Sequence, residues 1–369
     1  MAKLSTIKRA HLDPHRVSAS GLAVLAGLSQ WTTPLEMYLQ KTGQLESDDT
    51  AGEAAYWGSR LEAMVLAEWA SRNGEYVLGQ DEYEAPCLFG PKGERFSAKA
   101  TTYKAWVTPE LEALITETVY HPTLPIMCHL DGIGLRSPGR LGGLLQAKTA
   151  SVWKRDEWGE PGSDQMPAPY LLQVQTELLI MEAVTGLALR NDVPVLLGGQ
   201  EYRQYTATLN PRVGDMIAAL ATDFVRRVKE LDPPEPTYDE AGTRALRAMF
   251  GGDKDVPPMV AEPGTELYRA AEQATEAKKA LGQAEKQFAA AAVQVQRLMG
   301  DATKVVAPFG GISWSAAGTR TTVSWKGVGE VLEAHDPGLF AAAVQKNTTT
   351  TQGSRSFRVT PKESNDDDE

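Results

Sequence analysis

The stretch from Met127 to Ser151, MCHLDGIGLRSPGRLGGLLQAKTAS, constrains the fold more than any other part of the chain. It reads as two short strands joined by a turn. Cys128, Leu130, Ile133 and Leu135 are apolar around Asp131, Ser137-Pro138-Gly139 is a turn signal, and Leu141 to Ala150 is a second apolar run. Side chains of a strand alternate between faces, so this spacing predicts that Gln146 and Lys148 project the same way while Ala147 enters the sheet. An acid at the end of one strand then faces an amide oxygen and a lysine on the next. That geometry suits a divalent cation held by oxygen atoms that must also activate water.

The rest of the chain bounds what this hairpin can belong to. A chain of 369 residues is long enough for one large core with extensions, or for two domains. Charged residues at 23% and hydrophobic ones at 42% are ordinary for a globular protein in water. No run approaches the ~20 apolar residues of a membrane span, and no signal-peptide core opens the sequence, which predicts a cytoplasmic protein with no membrane partner. Cys87 and Cys128 cannot make a disulfide framework or a four-ligand zinc site, and the five histidines lack metal-binding spacing. The net charge of −11 argues against a general nucleic-acid coat but leaves room for a local basic channel.

Upstream of the hairpin, Arg16-Val-Ser-Ala-Ser-Gly predicts the start of a helix that Ser18 or Ser20 caps, followed by Leu22, Leu25 and Leu28. Such a terminus beside Arg16 is either a plain cap or a seat for a phosphate. Pro34 to Thr42 reads as a short second helix. Glu53 to Arg72 has a strong helical pattern, with Leu61, Val65 and Trp69 about one turn apart. Glu62 lies beside that stripe, as a solvated flank or as a metal or water contact. Residues 83 to 130 read as strands with loops. Pro169 to Val184 predicts a helix whose Gln173 either joins a core hydrogen-bond network, faces water, or leans over the site. Val193 to Gly198 and Glu201 to Leu209 extend the sheet, and Arg212 to Leu231 is a helix packing on it.

Composition changes at Pro233-Pro234-Glu235-Pro236, so residues 233–261 read as a proline-rich linker after a core of residues 1–232. Residues 262–300 then carry a heptad pattern: Leu267, Ala274, Leu281, Phe288 and Val295 recur every seven residues, with Ala270, Ala277, Ala284, Ala291 and Leu298 three later. A heptad seam is an interaction surface, for the body or for another subunit. Residues 301–360 read as a β extension, with a hairpin over Ile312 to Lys326 about Ala317-Gly318 and a basic strand over Gly353 to Val359. Residues 361–369 form an acidic tail expected to be disordered.

Taken in order, GLSQWTTPLEMYLQKTG, YWGSRLEAMV, LDGIG, LLQAKTA and APYLLQVQTELLIMEAVTG resemble the YqaJ-like phage recombination nucleases. These are relatives of the phage lambda exonuclease in the PD-(D/E)xK superfamily. The resemblance runs from Arg16 to about Lys229. It implies an α/β (α+β) restriction-endonuclease-like core, a central mixed sheet flanked by helices, with a helical and β-hairpin extension. It also implies roles. Asp131 is the central metal ligand, Lys148 orients or helps deprotonate water, and Glu62 is a further metal or water contact. Gln173 supports the site and Tyr170 helps place it, while Arg16, Ser18 and Ser20 lie where relatives hold a 5′-phosphate.

One position departs from the family pattern. The acid of the (D/E)xK element is Gln146, which keeps a carbonyl oxygen able to ligate Mg²⁺ but removes a negative charge. The function implied is a Mg²⁺-dependent exonuclease, Mn²⁺ substituting, that digests linear double-stranded DNA 5′→3′ and leaves a 3′ single strand for an annealing protein. A homo-oligomeric ring, commonly of three subunits, goes with it. The alternatives are a weakened DNA-end-binding or scaffold protein on the same fold, and a structure-specific endonuclease.

Overall fold

Neighbouring apolar residues in the strands of this chain belong to different cores. Val77, Phe89 and Leu145 cluster with Leu66 and Trp69, whereas Leu78, Leu88 and Leu144 cluster with Leu178, Ile180 and Val193. Because side chains alternate along a strand, this division means that both faces of the sheet are covered. The computed structural model describes residues 13–46, 52–250, 257–308, 310–314 and 324–348. The chain divides into two units, Met1–Phe250 and Gly251–Glu369.

The first unit runs β1 (Val17–Ser18), α1 (Gly21–Leu25), α2 (Pro34–Lys41), α3 (Glu53–Asn73), β2 (Tyr76–Gln80), β3 (Pro86–Phe89) and β4 (Arg95–Ser97). It continues with α4 (Thr101–Trp106), α5 (Pro109–Thr116), β5 (Val119–Tyr120), β6 (Ile126–Cys128), β7 (Gly132–Ser137), β8 (Arg140–Leu145) and β9 (Lys148–Ala150). After a 3-10 turn (Val152–Glu157) come α6 (Ala168–Thr185), β10 (Arg190–Leu197), β11 (Glu201–Thr208), α7 (Pro211–Glu230) and α8 (Glu240–Met249). Eight strands make one mixed sheet in the order β11-β10-β8-β7-β2-β3-β4, with β9 pairing on β10. A small sheet, β1-β6-β5, stands beside it, with Val17 paired to Ile126 in parallel. The α/β core with a central mixed sheet flanked by helices is therefore as the sequence leads one to expect.

Local chemistry explains the elements that carry the site. The β7–β8 hairpin turns through Gly139 at φ +72°, a conformation that L side chains rarely adopt. Helix α2 starts at Pro34 behind a capping box in which Thr33 accepts from the Glu36 N–H and Glu36 accepts from the Thr33 N–H. Helix α3 comes unusually close to the sheet. Gly79 and Gly132, paired across β2 and β7, leave room for Leu66, and a Cβ on Gly79 would stand 2.8 Å from Leu66 and 3.1 Å from the Asp131 carbonyl. Glu62 lies one turn before Leu66 on the same helix face, so this seating carries it to the site.

Three expectations need correction. Residues 83–130 include two helices, α4 and α5, the latter begun by Pro109 behind a Thr108 cap. The proline-rich stretch 233–261 is not all linker. It contains α8, where Ala245 is buried and Arg244 donates to the Glu36 carboxylate on α2 at 2.7 Å. The C-terminal part holds less strand than expected. The second unit contains α9 (Glu266–Met299), a hairpin of β12 (Lys304–Ala307) and β13 (Gly310–Ser313), then α10 (Trp325–His335) and α11 (Pro337–Asn347). The hairpin thus precedes the expected one, and Trp325 and Lys326 open a helix that Ser324 caps. The Ala317-Gly318 turn, the 353–359 strand and the acidic tail lie outside the described residues. Among the described residues no helix is long and apolar enough to cross a membrane.

Candidate active site

The antiparallel pairing of Gly132 with Leu145 sets Asp131 and Gln146 against each other at one end of the hairpin. Here the expected continuous strand is broken. β8 stops at Leu145 and β9 resumes at Lys148, because the Ala147 N–H donates to the Asp131 carboxylate at 2.9 Å and the Gln146 N–H to the Asp192 carbonyl at 3.0 Å. Ala147 is buried, and Gln146 and Lys148 line the same pocket. The Gln146 side-chain amide also donates to Asp131 through Nε2. Its Oε1 is buried without a partner.

The pocket, about 650 Å³, is lined by Glu62, Asp131, Gln146, Lys148, Tyr170 and Gln173, among others. Ser18 and Ser20 line it too, and Ser18 Oγ accepts from the Gly21 N–H at 3.1 Å. Ser18 therefore serves the N-terminus of α1, while Ser20, at the cap position, makes no such bond. Arg16 is not among the lining residues. Its guanidinium lies 4.6 Å from the Tyr120 ring centre and 3.7 Å from Asp13.

Lys148 is held by two groups from α6. Its Nζ donates to Gln173 Oε1 at 3.1 Å and lies 5.2 Å from the centre of the Tyr170 ring. Tyr170 in turn stacks on Trp158. Burial raises the Glu62 carboxyl above its ordinary range, and the Asp131 and Glu84 charges add to the rise while Lys148 opposes it. Burial raises Asp131 as well, against Lys148, the Ala147 N–H and the Gln146 amide.

Behind Gln173 is an acid that the sequence reading missed. Gln173 Nε2 donates to Glu177 Oε1 at 2.9 Å, and Asn191 Nδ2 donates to Glu177 Oε2 at 2.8 Å. Glu177 and Asn191 are both fully buried. Glu177 follows Gln173 by four residues on α6, so helical spacing was the available signal. Burial, then the Asp131 charge, pushes the Glu177 carboxyl up to about 8, with Lys148 and the two amide donors pulling it back. The Cys128 thiol is raised by burial and, to a lesser extent, by the Glu177 charge.

This acid makes stability depend on pH. Between 4.5 and about 8 the unfolded chain loses a proton at Glu177 that the folded chain keeps, so its contribution to stability falls as pH rises through that window. Glu177→Gln keeps the shape and the bond from Gln173. Turning the Asn191 amide also lets Asn191 Oδ1, now buried without a partner, accept from it. In metal-free calorimetry we expect the variant to exceed wild type by on the order of 3 kcal/mol at pH 8, the gap closing towards pH 4.5. A gap that does not change with pH would show that Glu177 is ionised in the fold throughout.

Among the described residues no three of His, Cys, Asp and Glu gather as a metal site. The cluster here has two acids and an amide instead. Its oxygens nevertheless fit a hard cation, since Gln146 Oε1 is an uncommitted buried acceptor beside two carboxylates.

Residues 10–188 match the YqaJ-like viral recombinase domain. Over that segment the chain is similar to the YqaJ-like family. The resemblance read from the sequence is borne out over this domain. YqaJ of Bacillus subtilis (strain 168), described as uncharacterized, is 25% identical over 209 residues. That match spans 56% of this chain and 51% of YqaJ, about half the length of the curated relative. Among solved structures, the alkaline exonuclease LHK-Exo of Laribacter hongkongensis is similar over 60% of this chain and 91% of its own, with 16% identity and a TM-score of 0.39. LHK-Exo in complex with dAMP is similar over 62% and 94%, with 16% identity and a TM-score of 0.40.

Proposed function

We propose that this protein is a divalent-cation-dependent DNA exonuclease that digests linear double-stranded DNA from 5′ to 3′. Its product is a 3′ single strand for an annealing protein in phage-type recombination, made in the cytoplasm of a bacterial or phage-infected cell. The observation that carries the reading is one pocket that joins two carboxylates, an unpartnered amide oxygen and a lysine anchored by two side chains.

Asp131, Glu62 and Gln146 would hold Mg²⁺, with Mn²⁺ able to replace it, because all three offer hard oxygen donors. When bound, the cation supplies positive charge against the phosphate and lowers the pKa of a bound water. The chain's own groups do the rest. Lys148 carries a fixed ammonium into the pocket, where it stabilises charge developing on the attacking or leaving oxygen. Tyr170 and Gln173 hold that ammonium in place, and the Glu177 carboxyl keeps the Gln173 amide from turning over. The Ala147 N–H keeps one Asp131 oxygen occupied and so orients the other. Ser18 and Ser20 supply hydroxyls to the same pocket and are assigned to the terminal phosphate. Arg16, directed to Tyr120, is left out of that seat. Assembly of the cores into a ring, commonly of three, is part of the same reading and rests on the family resemblance.

The test is a single duplex offered as an end-labelled linear fragment and as a closed circle, with Mg²⁺. The reading predicts loss of the linear form, 5′ label first, and an intact circle. Cleavage of the circle would favour a structure-specific endonuclease. Release of 3′ label first would reverse the polarity.

A further inference from the structure

The long helix α9 presents an apolar stripe that its own residues do not cover. Met299 is its one buried residue, while Phe288 is 75% and Leu298 86% exposed. Its first seam position carries Leu267, Ala274, Leu281, Phe288 and Val295, and its second carries alanine four times and then Leu298. At 34 residues the helix is about 51 Å long, enough for a continuous coiled-coil seam.

We infer that α9 pairs with α9 of a second copy of this chain, antiparallel, about a dyad between Gly282 and Gln283 at the middle of the helix. An antiparallel pair sets each first-position residue against a second-position residue of the other strand. About this dyad Phe288 faces the partner's Ala277, Leu281 the partner's Ala284, and Val295 the partner's Ala270. In these three layers each large side chain meets a small one, as close packing requires, while further from the dyad Ala274 faces the partner's Ala291 and Leu267 the partner's Leu298. A parallel pair would set Phe288 against Phe288 and then alanine against alanine, alternating crowded and empty layers.

Charge gives the same answer independently. The flanking positions beside the second seam hold Ala271, Lys278, Glu285 and Ala292. In the antiparallel pair these positions face one another, so Lys278 lies beside the partner's Glu285, twice, on either side of the dyad. In a parallel pair Lys278 would meet the partner's Gln273 and Glu285 the partner's Ala280, with no ion pair. Flanking charges of this kind set coiled-coil orientation. The interface is isologous, and it joins two copies whether or not the cores also form a ring.

The test uses full-length chains. Ala277→Cys and Phe288→Cys are oxidised separately and as a mixture, the native Cys87 and Cys128 being buried. A disulfide needs Cα atoms within about 7 Å. The inference predicts a cross-linked dimer in the mixture and none from either variant alone. A Phe288→Cys homodimer would establish the parallel pairing and overturn the inference. No cross-link in any sample would overturn it too. Sedimentation supplies a second readout that leaves the seam intact. Glu285→Lys should weaken association by about tenfold or more, and Lys278→Glu with Glu285→Lys should restore it. Failure of the double change to restore would contradict the proposed register.

Discussion

Asp131→Asn and Lys148→Ala each lower Mg²⁺-dependent degradation of linear duplex about a thousandfold or more, while circular dichroism stays that of wild type. Asp131 is the acid that the hairpin and the Ala147 N–H fix in place, and asparagine keeps its volume and an acceptor for that N–H. What it loses is the charge that would hold a cation. Lys148 contributes through its ammonium alone, since the apolar cores are complete without it. Single-turnover rates at saturating DNA, with a thermal melt of each variant, separate loss of chemistry from loss of fold. A fully active Asp131→Asn protein would remove the nuclease reading altogether.

The second large effect is at Gln146, where the enzyme and the scaffold readings part. Gln146→Leu keeps most of the bulk and removes Oε1, and is expected to cost activity about 10–100-fold. Gln146→Glu adds a negative charge opposite Asp131. Without a cation the two carboxylates repel, and a divalent ion relieves that repulsion, so the Mg²⁺ needed for half-maximal rate should fall by about tenfold. If Gln146→Glu instead creates activity in a protein that otherwise has none, the wild-type chain is the weakened end-binding protein and the glutamine is the cause.

The legible part of this site was the part that local spacing determines. Asp131, Lys148 and the hairpin turn follow from strand alternation and Gly139, and the helix of Glu62 from its apolar stripe. What brings Glu62 to the pocket was not legible, because it depends on Leu66 settling over Gly79 and Gly132, which lie in two other elements. The break at Gln146–Ala147 comes from a bond to Asp131, sixteen residues earlier in the chain, which alternation alone does not register. Glu177 is one of two acids in QTELLIMEA, and nothing in that local pattern marks it rather than Glu182 as the buried one. Its burial becomes intelligible only with Gln173 and Asn191 beside it. The helix at 240–249 was hidden for the same reason, since Arg244 finds Glu36 across 208 residues.

Arg16 is the member of the expected phosphate seat whose contacts lie elsewhere. Its neighbourhood of serines suggested a phosphate seat, and Ser18 and Ser20 do reach the pocket. The arginine itself stays with Tyr120 and Asp13, because the chain entering β1 is tied down by Lys41, which donates to the carbonyls of Asp13 and Arg16 at 2.6 and 2.8 Å.

The central claim is that the oxygens of Asp131, Glu62 and Gln146 hold a catalytic divalent cation beside Lys148. It is tested most directly by titrating Mg²⁺, and separately Mn²⁺, into wild-type protein with end-labelled linear duplex. The account predicts no degradation without metal and a saturable rise in rate with either ion, absent from Asp131→Asn. Binding of duplex ends with no degradation at any concentration of either ion would contradict it.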